Sequence, residues 1–449
     1  MSLELTQEIK DKIREQVLQN PHVTSVGYGY KVSGGVNTGE PAIVFGVETK
    51  KPLSEIPEEE LLPSSVEING VAVKTDVKQR GRPQILGTCN AGCGQNAGSG
   101  SAANRAFTRP VKGGLSITSL NNSNSIGTLG LVVKDVATGA IVGLTNNHVT
   151  IQDAFYTSYR NLAGVLQNEY SPVDNIYQNA EYTGVPPATN IIGRSLRYVP
   201  IHPLSSGLTN SVDAAIFSID STALDATQSW KQVGLDSVVA DHIPFATTGE
   251  IDTLLAVNPQ LYSSGRTTGP KGGASCPLKL FELGSAFNIF YNMQGPCEPT
   301  NTSGCTTIIM ENTIGYFKPP LENPETQDPT EYGACCNPVR GGDSGSALIA
   351  DIGGTIKIIG LVFAGGNDPE ITSCDGGNNS YTYGYACRID EVASQLGITS
   401  WNKEDPIATV NTSTIEYITE PGGSSDKTKS CDGKTYWQVG LTNTLDNPC

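Results

Sequence analysis

Short apolar runs separated by glycine and proline are the feature of this chain that most restricts its fold. The 449 residues include 50 Gly and 27 Pro, and both residue types mark turns and interrupt helices. Few stretches are long enough for an amphipathic helix, whereas many have the length of a single strand. With 37% hydrophobic and 16% charged residues, the chain can bury more than one core. The pattern predicts a mainly β, folded protein.

One segment, GGDSGSAL at 341–348, places a serine between glycines ahead of a small apolar run. Gly342 and Gly345 can adopt backbone conformations closed to residues with a Cβ, so the amides of Gly342 and Ser344 can point at one spot. That spot would be an oxyanion hole, and Ser344 would be a nucleophile. A polar turn before a buried strand explains the same residues, so the choice depends on finding a base and an orienting acid.

The candidate base is His148, one of four histidines in the chain. It ends the run AIVGLTNNHV, whose apolar residues predict a buried strand with a polar end. A strand end can hold an imidazole at the rim of a cleft, and the other three histidines lack this setting. The alternative is a core or turn histidine.

The candidate acid is Asp213, which opens SVDAAIFSI directly before an apolar strand. An unpaired carboxylate would be costly to bury there. Against an imidazole, it would fix the tautomer and stabilise the imidazolium. The alternative is a strand-capping aspartate on an exposed loop.

Seven segments in order resemble those of trypsin-like (chymotrypsin-fold) serine peptidases, nearest the bacterial and plant narrow-leaf-type branch. They are GTLGLVVKD (127–135) with LTNNHV (144–149), SVDAAI (211–216), GRTTG (265–269), GGDSGSALI (341–349), IIGLVFAGG (358–366) and YACRIDEVASQL (385–396). The resemblance spans residues 113–398. It implies two antiparallel β-barrels, with a polypeptide substrate held in the cleft between them.

The resemblance also implies roles for the candidate residues in a serine endopeptidase. Ser344 would be the nucleophile, His148 the general base and acid, and Asp213 the orienting carboxylate. Gly342 and Ser344 would supply the oxyanion-hole amides. A peptidase-fold binding or assembly protein with little or no hydrolytic activity is the alternative function.

For the substrate cleft, the resemblance places Phe363, Ala364 and Gly365 on the strand that pairs with the substrate backbone. Pro338 would lie near the base of the primary specificity pocket. No acid stands at these positions, and a cationic side chain left unpaired in such a pocket would be costly. We therefore expect small or medium apolar residues before the scissile bond, with Gly365 leaving room for the side chain.

Asp343 raises the question of activation. In zymogen-activated relatives its counterpart pairs with a freed N-terminal amine, but no IVGG-type start precedes the predicted peptidase unit here. Two alternatives follow. Either an internal donor holds Asp343 and the oxyanion hole is formed constitutively, or the chain is processed within 81–112.

The sequence predicts four parts. Residues 1–80 form a small α+β N-terminal domain, in which Ile9, Ile13 and Val17 recur at helical spacing ahead of three strands. Residues 81–112 are a Gly/Ser/Asn-rich linker by composition. Residues 113–398 are the peptidase domain, closed by a short helix with Gly397 as its C-terminal cap. Residues 399–449 are a C-terminal extension.

Charge and cysteine content limit the partners and the compartment. A net charge of -16 argues against nucleic acid or an anionic membrane surface as a partner, and we expect no cofactor. The start of the chain lacks the pattern of a Sec signal peptide, which makes a cytoplasmic location the default. Eleven cysteines leave an oxidising or extracellular site open. Zinc at CNAGC (89–93) competes with disulfides, but no His or second close-spaced cysteine pair nearby completes a tetrahedral set, so we expect no metal. In many relatives a disulfide braces the specificity loops, which implies one here from Cys335 or Cys336 to Cys374.

Overall fold

The computed structural model describes most of the chain up to residue 408 and four short strands beyond it. The described residues are 4–20, 22–33, 36–86, 102–119, 126–151, 175–180, 187–239, 241–272, 276–291, 306–319, 337–368, 380–402, 404–408, 415–416, 428–431, 434–437 and 440–441. Several predicted features lie outside these residues, namely CNAGC at 89–93 and the cysteines Cys335, Cys336 and Cys374.

Strands dominate the described part of the chain. Its α-helices are Gln7–Gln19 (α1), Ala102–Arg105 (α2), Asn147–Thr150 (α3), Thr248–Asp252 (α4), Leu254–Val257 (α5) and Ile389–Leu396 (α6). Its strands are Val23–Ser33 (β1), Val36–Val47 (β2), Ser65–Ile68 (β3), Val71–Gln79 (β4), Gln84–Ile85 (β5), Ser116–Ser119 (β6), Ile126–Thr128 (β7), Leu131–Asp135 (β8), Ile141–Thr145 (β9), Asn175–Tyr177 (β10), Ile191–Tyr198 (β11), Ala215–Ser218 (β12), Gln260–Gly265 (β13), Gly269–Gly272 (β14), Lys279–Tyr291 (β15), Thr306–Phe317 (β16), Val339–Arg340 (β17), Ala347–Ile352 (β18), Thr355–Gly366 (β19), Ser380–Tyr381 (β20), Tyr383–Arg388 (β21), Ile398–Ser400 (β22), Ile415–Glu416 (β23), Thr428–Cys431 (β24), Lys434–Trp437 (β25) and Gly440–Leu441 (β26). The mainly β fold is confirmed.

The first large sheet brings the chain segments of His148 and Asp213 together at one end of two neighbouring strands. Its eight strands follow the order β22-β8-β9-β12-β11-β10-β6-β7. Strands β9 and β12 are antiparallel, with Thr145 opposite Ala215. Because one strand ends where the other begins, the residues after Thr145 and those before Ala215 leave the sheet side by side.

The second large sheet carries the serine segment. It has twelve strands, eleven of them in the order β14-β13-β18-β19-β21-β16-β15-β1-β2-β4-β3, and β5 pairs with β19 beside this path. The turn that contains Ser344 leads directly into β18, which is paired with β19 on one side and β13 on the other. The buried first half of a strand that is paired on both sides therefore positions this turn.

The N-terminal strands continue the second sheet. Val26 of β1 lies opposite Phe45 of β2 on one side and Ala286 of β15 on the other. The predicted helix is confirmed as α1, which buries Ile9, Ile13 and Val17. The domain boundary at residue 80 stays a prediction, but β1 to β4 share one hydrogen-bonded sheet with strands of the predicted peptidase domain.

The last helix and the strand after it lead the chain back to the first sheet. Helix α6 buries Ile389, Val392 and Leu396, and Gly397 caps it with a φ of +64°, which confirms the predicted cap. Strand β22 then pairs with β8. Among the described residues, none of the helices combines the length and the apolar character that crossing a lipid bilayer requires.

Candidate active site

His148, Asp213 and Ser344 are joined by two hydrogen bonds. His148 lies in the single-turn helix α3, just after β9. Its Nδ1 is 2.6 Å from Oδ2 of Asp213, and its Nε2 is 2.6 Å from Oγ of Ser344. All three residues are buried, with at most 2% of their surface exposed. The structure thus brings together the three residues that the sequence singled out from segments far apart in the chain.

Both carboxylate oxygens of Asp213 have a partner. Oδ2 contacts His148, while Oδ1 accepts the backbone N–H of Asn147 at 2.7 Å. The Asp213 backbone is held as well, because its carbonyl accepts the Asn146 side-chain amide at 2.6 Å and its N–H lies 3.2 Å from Sγ of Cys387. Burial raises the pKa of the Cys387 thiol well above its usual range, so this neighbour stays neutral beside the carboxylate.

The turn around Ser344 is held against the first sheet by Thr128. Its Oγ1 donates to the Gly342 carbonyl at 2.9 Å, and its N–H donates to the Ser344 carbonyl at 2.7 Å. Gly342 and Gly345 have φ of +92° and +89°, and a Cβ on Gly345 would lie 2.3 Å from the Thr128 carbonyl oxygen. Sequence analysis did not single out Thr128, because a threonine at a strand end carries no signal of a partner so distant in the chain.

Internal donors hold Asp343, as in the first of the two alternatives considered for it. Its Oδ1 accepts the backbone N–H groups of Thr267 at 2.9 Å and Thr268 at 3.0 Å. Its Oδ2 accepts the Thr268 hydroxyl at 2.7 Å and the Arg340 N–H at 3.0 Å. The two threonines belong to the GRTTG segment. The turn that presents Gly342 is therefore braced without a newly formed chain end.

Lys271 is a buried cation that sequence analysis missed. It is 3% exposed, its ammonium donates to the carbonyl of Pro338, and it lies 3.7 Å from Oδ2 of Asp343. Burial lowers the pKa of Lys271 to about 8, against the attraction of Asp343. Pro338, expected near the pocket base, is thus tied to the same cluster as Asp343.

The lowered pKa of Lys271 predicts a pH-dependent stability. Between pH 8 and 10.5 the folded chain releases a proton that the unfolded chain still binds, so the free energy of unfolding should rise with pH across that window. At pH 10.5 the free energy of unfolding of wild type should have risen by about 3 kcal/mol relative to that of Lys271→Met. Urea titrations of both proteins at pH 7.5 and 10.5 measure this difference. An offset between the two proteins that does not change with pH would contradict the prediction.

Three of the four predicted cleft residues, Phe363, Ala364 and Gly365, lie on β19, but their side chains have different surroundings. The Phe363 ring points into the core and stacks on Phe287, with ring centroids 6.2 Å apart. A Cβ on Gly365 would lie 2.9 Å from Cγ of Tyr381. Gly365 therefore makes room for the ring of Tyr381, whereas sequence analysis expected it to make room for a substrate side chain.

A segment of the chain itself lies along this cleft strand. In β5, Gln84 is opposite Gly365 and Ile85 is opposite Ala364, in antiparallel register. The next residue, Leu86, donates its N–H to the Phe363 carbonyl at 3.0 Å. The Leu86 carbonyl in turn accepts the N–H of Gly342 at 2.9 Å. One of the two amides predicted to form an oxyanion hole, that of Gly342, thus already donates to a peptide carbonyl.

The amino-acid composition predicted that residues 84–86 belong to a linker. The run QIL is too short to predict a strand by periodicity, and it is followed by the Gly/Ala/Ser/Asn-rich stretch that dominated the interpretation. Residues 87–101, the main part of that predicted linker, lie outside the described residues.

Comparisons with known proteins find similarity at the level of structure only. No family model and no curated protein matches this sequence. A solved glutamic-acid-specific serine protease is 14% identical with a TM-score of 0.33, over 65% of this chain and 100% of its own. Nocardiopsis protease is 13% identical with a TM-score of 0.35, over 65% of this chain and 98% of its own. For Thermobifida fusca protease A the identity is 12% and the TM-score 0.32, over the same shares.

Proposed function

We propose that this protein is a serine endopeptidase that hydrolyses polypeptides through an acyl-enzyme. The observation that carries the proposal is the buried series Asp213–His148–Ser344, with contacts of 2.6 Å on both sides of the imidazole. A serine hydroxyl is a weak nucleophile unless an adjacent base removes its proton. Here the base lies within hydrogen-bond distance, and a carboxylate orients that base.

Each residue has a step in the proposed reaction. His148 Nε2 accepts the Ser344 hydroxyl proton while Oγ attacks the substrate carbonyl, and Asp213 Oδ2 stabilises the imidazolium that forms. The imidazolium then gives this proton to the leaving amine as the C–N bond breaks. Water, deprotonated by His148 in the same way, hydrolyses the acyl-enzyme and restores the Ser344 hydroxyl.

Two further features support acyl chemistry. The N–H of Gly342 donates to a peptide carbonyl at 2.9 Å, which is the contact an oxyanion requires. Strand β19 accepts an antiparallel peptide, and a backbone held in that way presents its carbonyl in a fixed register. The amides of Thr267 and Thr268 brace Asp343, so no activating chain end is needed for this geometry.

Labelling with a fluorophosphonate tests the nucleophile. Wild type and Leu86→Asp, in which the apolar contact of the cleft segment is weakened, should both be modified at Ser344, as mapped by peptide mass spectrometry. Ser344→Ala should remain unlabelled, since it lacks the hydroxyl. Ser346→Ala is the matched control and should label normally, because Oγ of Ser346 is buried 3.5 Å from the Ser263 hydroxyl. The proposal is wrong if both folded proteins that keep Ser344 and His148 stay unlabelled, or if Ser344→Ala still reacts.

A further inference from the structure

The segment from Gly81 to Leu86 is held at its start by the residue that follows β19 and at its end by β19 itself. At its start, Gly81 donates its N–H to the Asn367 carbonyl at 2.8 Å. At its end, Leu86 both donates to β19 and accepts from Gly342, as described above. Between these points, Gln84 and Ile85 pair with the strand in register. The segment is thus bound as an extended peptide would be in the proposed reaction.

A buried ion pair fixes where this segment enters the cleft. Arg80 Nη1 is 2.7 Å from Oε2 of Glu282 on β15, and the Tyr385 hydroxyl donates to the other oxygen of Glu282 at 2.7 Å. The Arg80 guanidinium also lies 4.2 Å from the centroid of the Phe281 ring. A guanidinium held by a carboxylate and a ring has little freedom, so the residues after Arg80 start from a defined position.

The contacts of Leu86 are those expected of the residue before a scissile bond in the proposed reaction, because its N–H donates to β19 and its carbonyl accepts from Gly342. Its side chain is fully buried and belongs to the continuous hydrophobic core. Its carbonyl is the one that Gly342 polarises, and Ser344 follows Gly342 by two residues in the same turn. An apolar side chain here agrees with the small or medium apolar preference expected from the absence of an acid at the cleft positions.

We infer that the chain is its own substrate and that the site cleaves the peptide bond between Leu86 and Gly87 within the same molecule. This inference rests on the proposed function, since it names the bond on which that chemistry acts. The alternative, in which the segment is an uncleaved inhibitor of the cleft, is an outcome of the test below.

The reaction balances as an ordinary hydrolysis. Ser344 Oγ forms a bond to the Leu86 carbonyl carbon and passes its proton to His148, and the bond from that carbon to the Gly87 nitrogen breaks. His148 protonates the departing nitrogen, which becomes the amine of a new chain starting at Gly87. One water then releases Leu86 as a carboxylic acid. Because β1 is paired with β15, the part ending at Leu86 should stay attached through the sheet.

Intact-mass measurement and N-terminal sequencing of purified wild type and Ser344→Ala test the inference. Wild type should yield a second chain beginning Gly-Thr-Cys-Asn-Ala, whereas Ser344→Ala should remain a single chain. Leu86→Asp should be processed at least about 100-fold more slowly, because a carboxylate is costly to bury in an apolar site. Leu53→Asp is the matched control: the same exchange at a residue that is 78% exposed should leave processing unchanged.

Mixing distinguishes cleavage within one molecule from cleavage between molecules. Tagged Ser344→Ala incubated with wild type should stay intact, and wild-type processing should follow first-order kinetics at every protein concentration. Cleavage of the tagged Ser344→Ala chain after Leu86 would contradict the intramolecular reaction. A new chain that starts elsewhere than Gly87 would overturn the assignment of the bond.

Labelling separates failure of this inference from failure of the proposed function. An uncleaved wild type whose Ser344 reacts with the fluorophosphonate would overturn self-processing, leave the peptidase proposal standing, and make the segment an inhibitor. A folded wild type that is neither cleaved nor labelled, together with an unlabelled Leu86→Asp, would overturn both.

Discussion

Ser344→Ala is expected to lower turnover of a peptide anilide by about 10⁶-fold, the loss measured when the nucleophile of a triad enzyme is removed. The substrate we would use is Arg-Pro-Gln-Ile-Leu-p-nitroanilide, which copies residues 82–86. All proteins should be compared in the Leu86→Asp background. Every chain is then uncleaved, and its own segment 81–86 competes with the added substrate equally weakly in each protein. The physical reason for the loss is that alanine has no oxygen to form the acyl-enzyme.

His148→Ala in the same background should cost a similar factor, because the hydroxyl then has no base within reach. The double variant should be little worse than either single one, since the two residues act as a unit and their effects do not add. Ser346→Ala should stay close to the parent protein. Additive losses, or a Ser344→Ala protein that keeps a substantial fraction of turnover, would mean that another group performs the attack.

Asp213→Asn should lower turnover by about 10⁴-fold near neutral pH. Both carboxylate oxygens of Asp213 have a partner. One accepts the Asn147 N–H at 2.7 Å, and the other contacts His148 Nδ1 at 2.6 Å. Asparagine has a single oxygen. If that oxygen keeps the Asn147 contact, the NH₂ group faces Nδ1 and favours the imidazole tautomer whose Nε2 carries a hydrogen. Such an Nε2 cannot accept the Ser344 proton.

The matched control for this substitution is Asp220→Asn. Asp220 is an exposed aspartate whose Oδ1 accepts the Thr222 N–H at 2.9 Å, and its replacement should leave turnover within a few-fold of the parent. Circular dichroism and denaturant titration of both variants would show whether the fold is kept. Undiminished activity of Asp213→Asn would move the orienting acid elsewhere, for instance to Asp174, which lies outside the described residues.

The shared sheet gives the N-terminal residues a defined relation to the candidate site. Strands β1 to β4 extend the twelve-stranded sheet past β15. Arg80, which is buried against Glu282 of β15, is followed directly by the segment that pairs with β19. Removing one partner of a buried ion pair typically costs 3 to 5 kcal/mol. The N-terminal strands are therefore built into the same structure that holds the catalytic candidates.

Much of the candidate site was predictable because its chemistry depends on residue type in a local context. Glycines at 342 and 345 permit the φ values of +92° and +89° that the turn adopts, and few other residues do. His148 follows a strand and Asp213 precedes one, so both were identifiable from a short apolar run beside a polar residue. The helix with Gly397 as its cap was predictable for the same reason, since helix periodicity and capping are local signals.

By itself, the sequence determined the mainly β fold, the candidate residues and the order in which they occur. Tertiary structure alone decided that Thr128 holds the serine turn, that Thr267 and Thr268 hold Asp343, and that Leu86 binds at Gly342. It also decided that β1 pairs with β15. The physical reason is that strand pairing and buried polar contacts are choices among partners distant in the chain. The sequence shows that an apolar strand can pair and that a threonine can form a hydrogen bond, but it does not show with which partner. The partner is selected only when the whole sheet is assembled and every buried polar group must be satisfied.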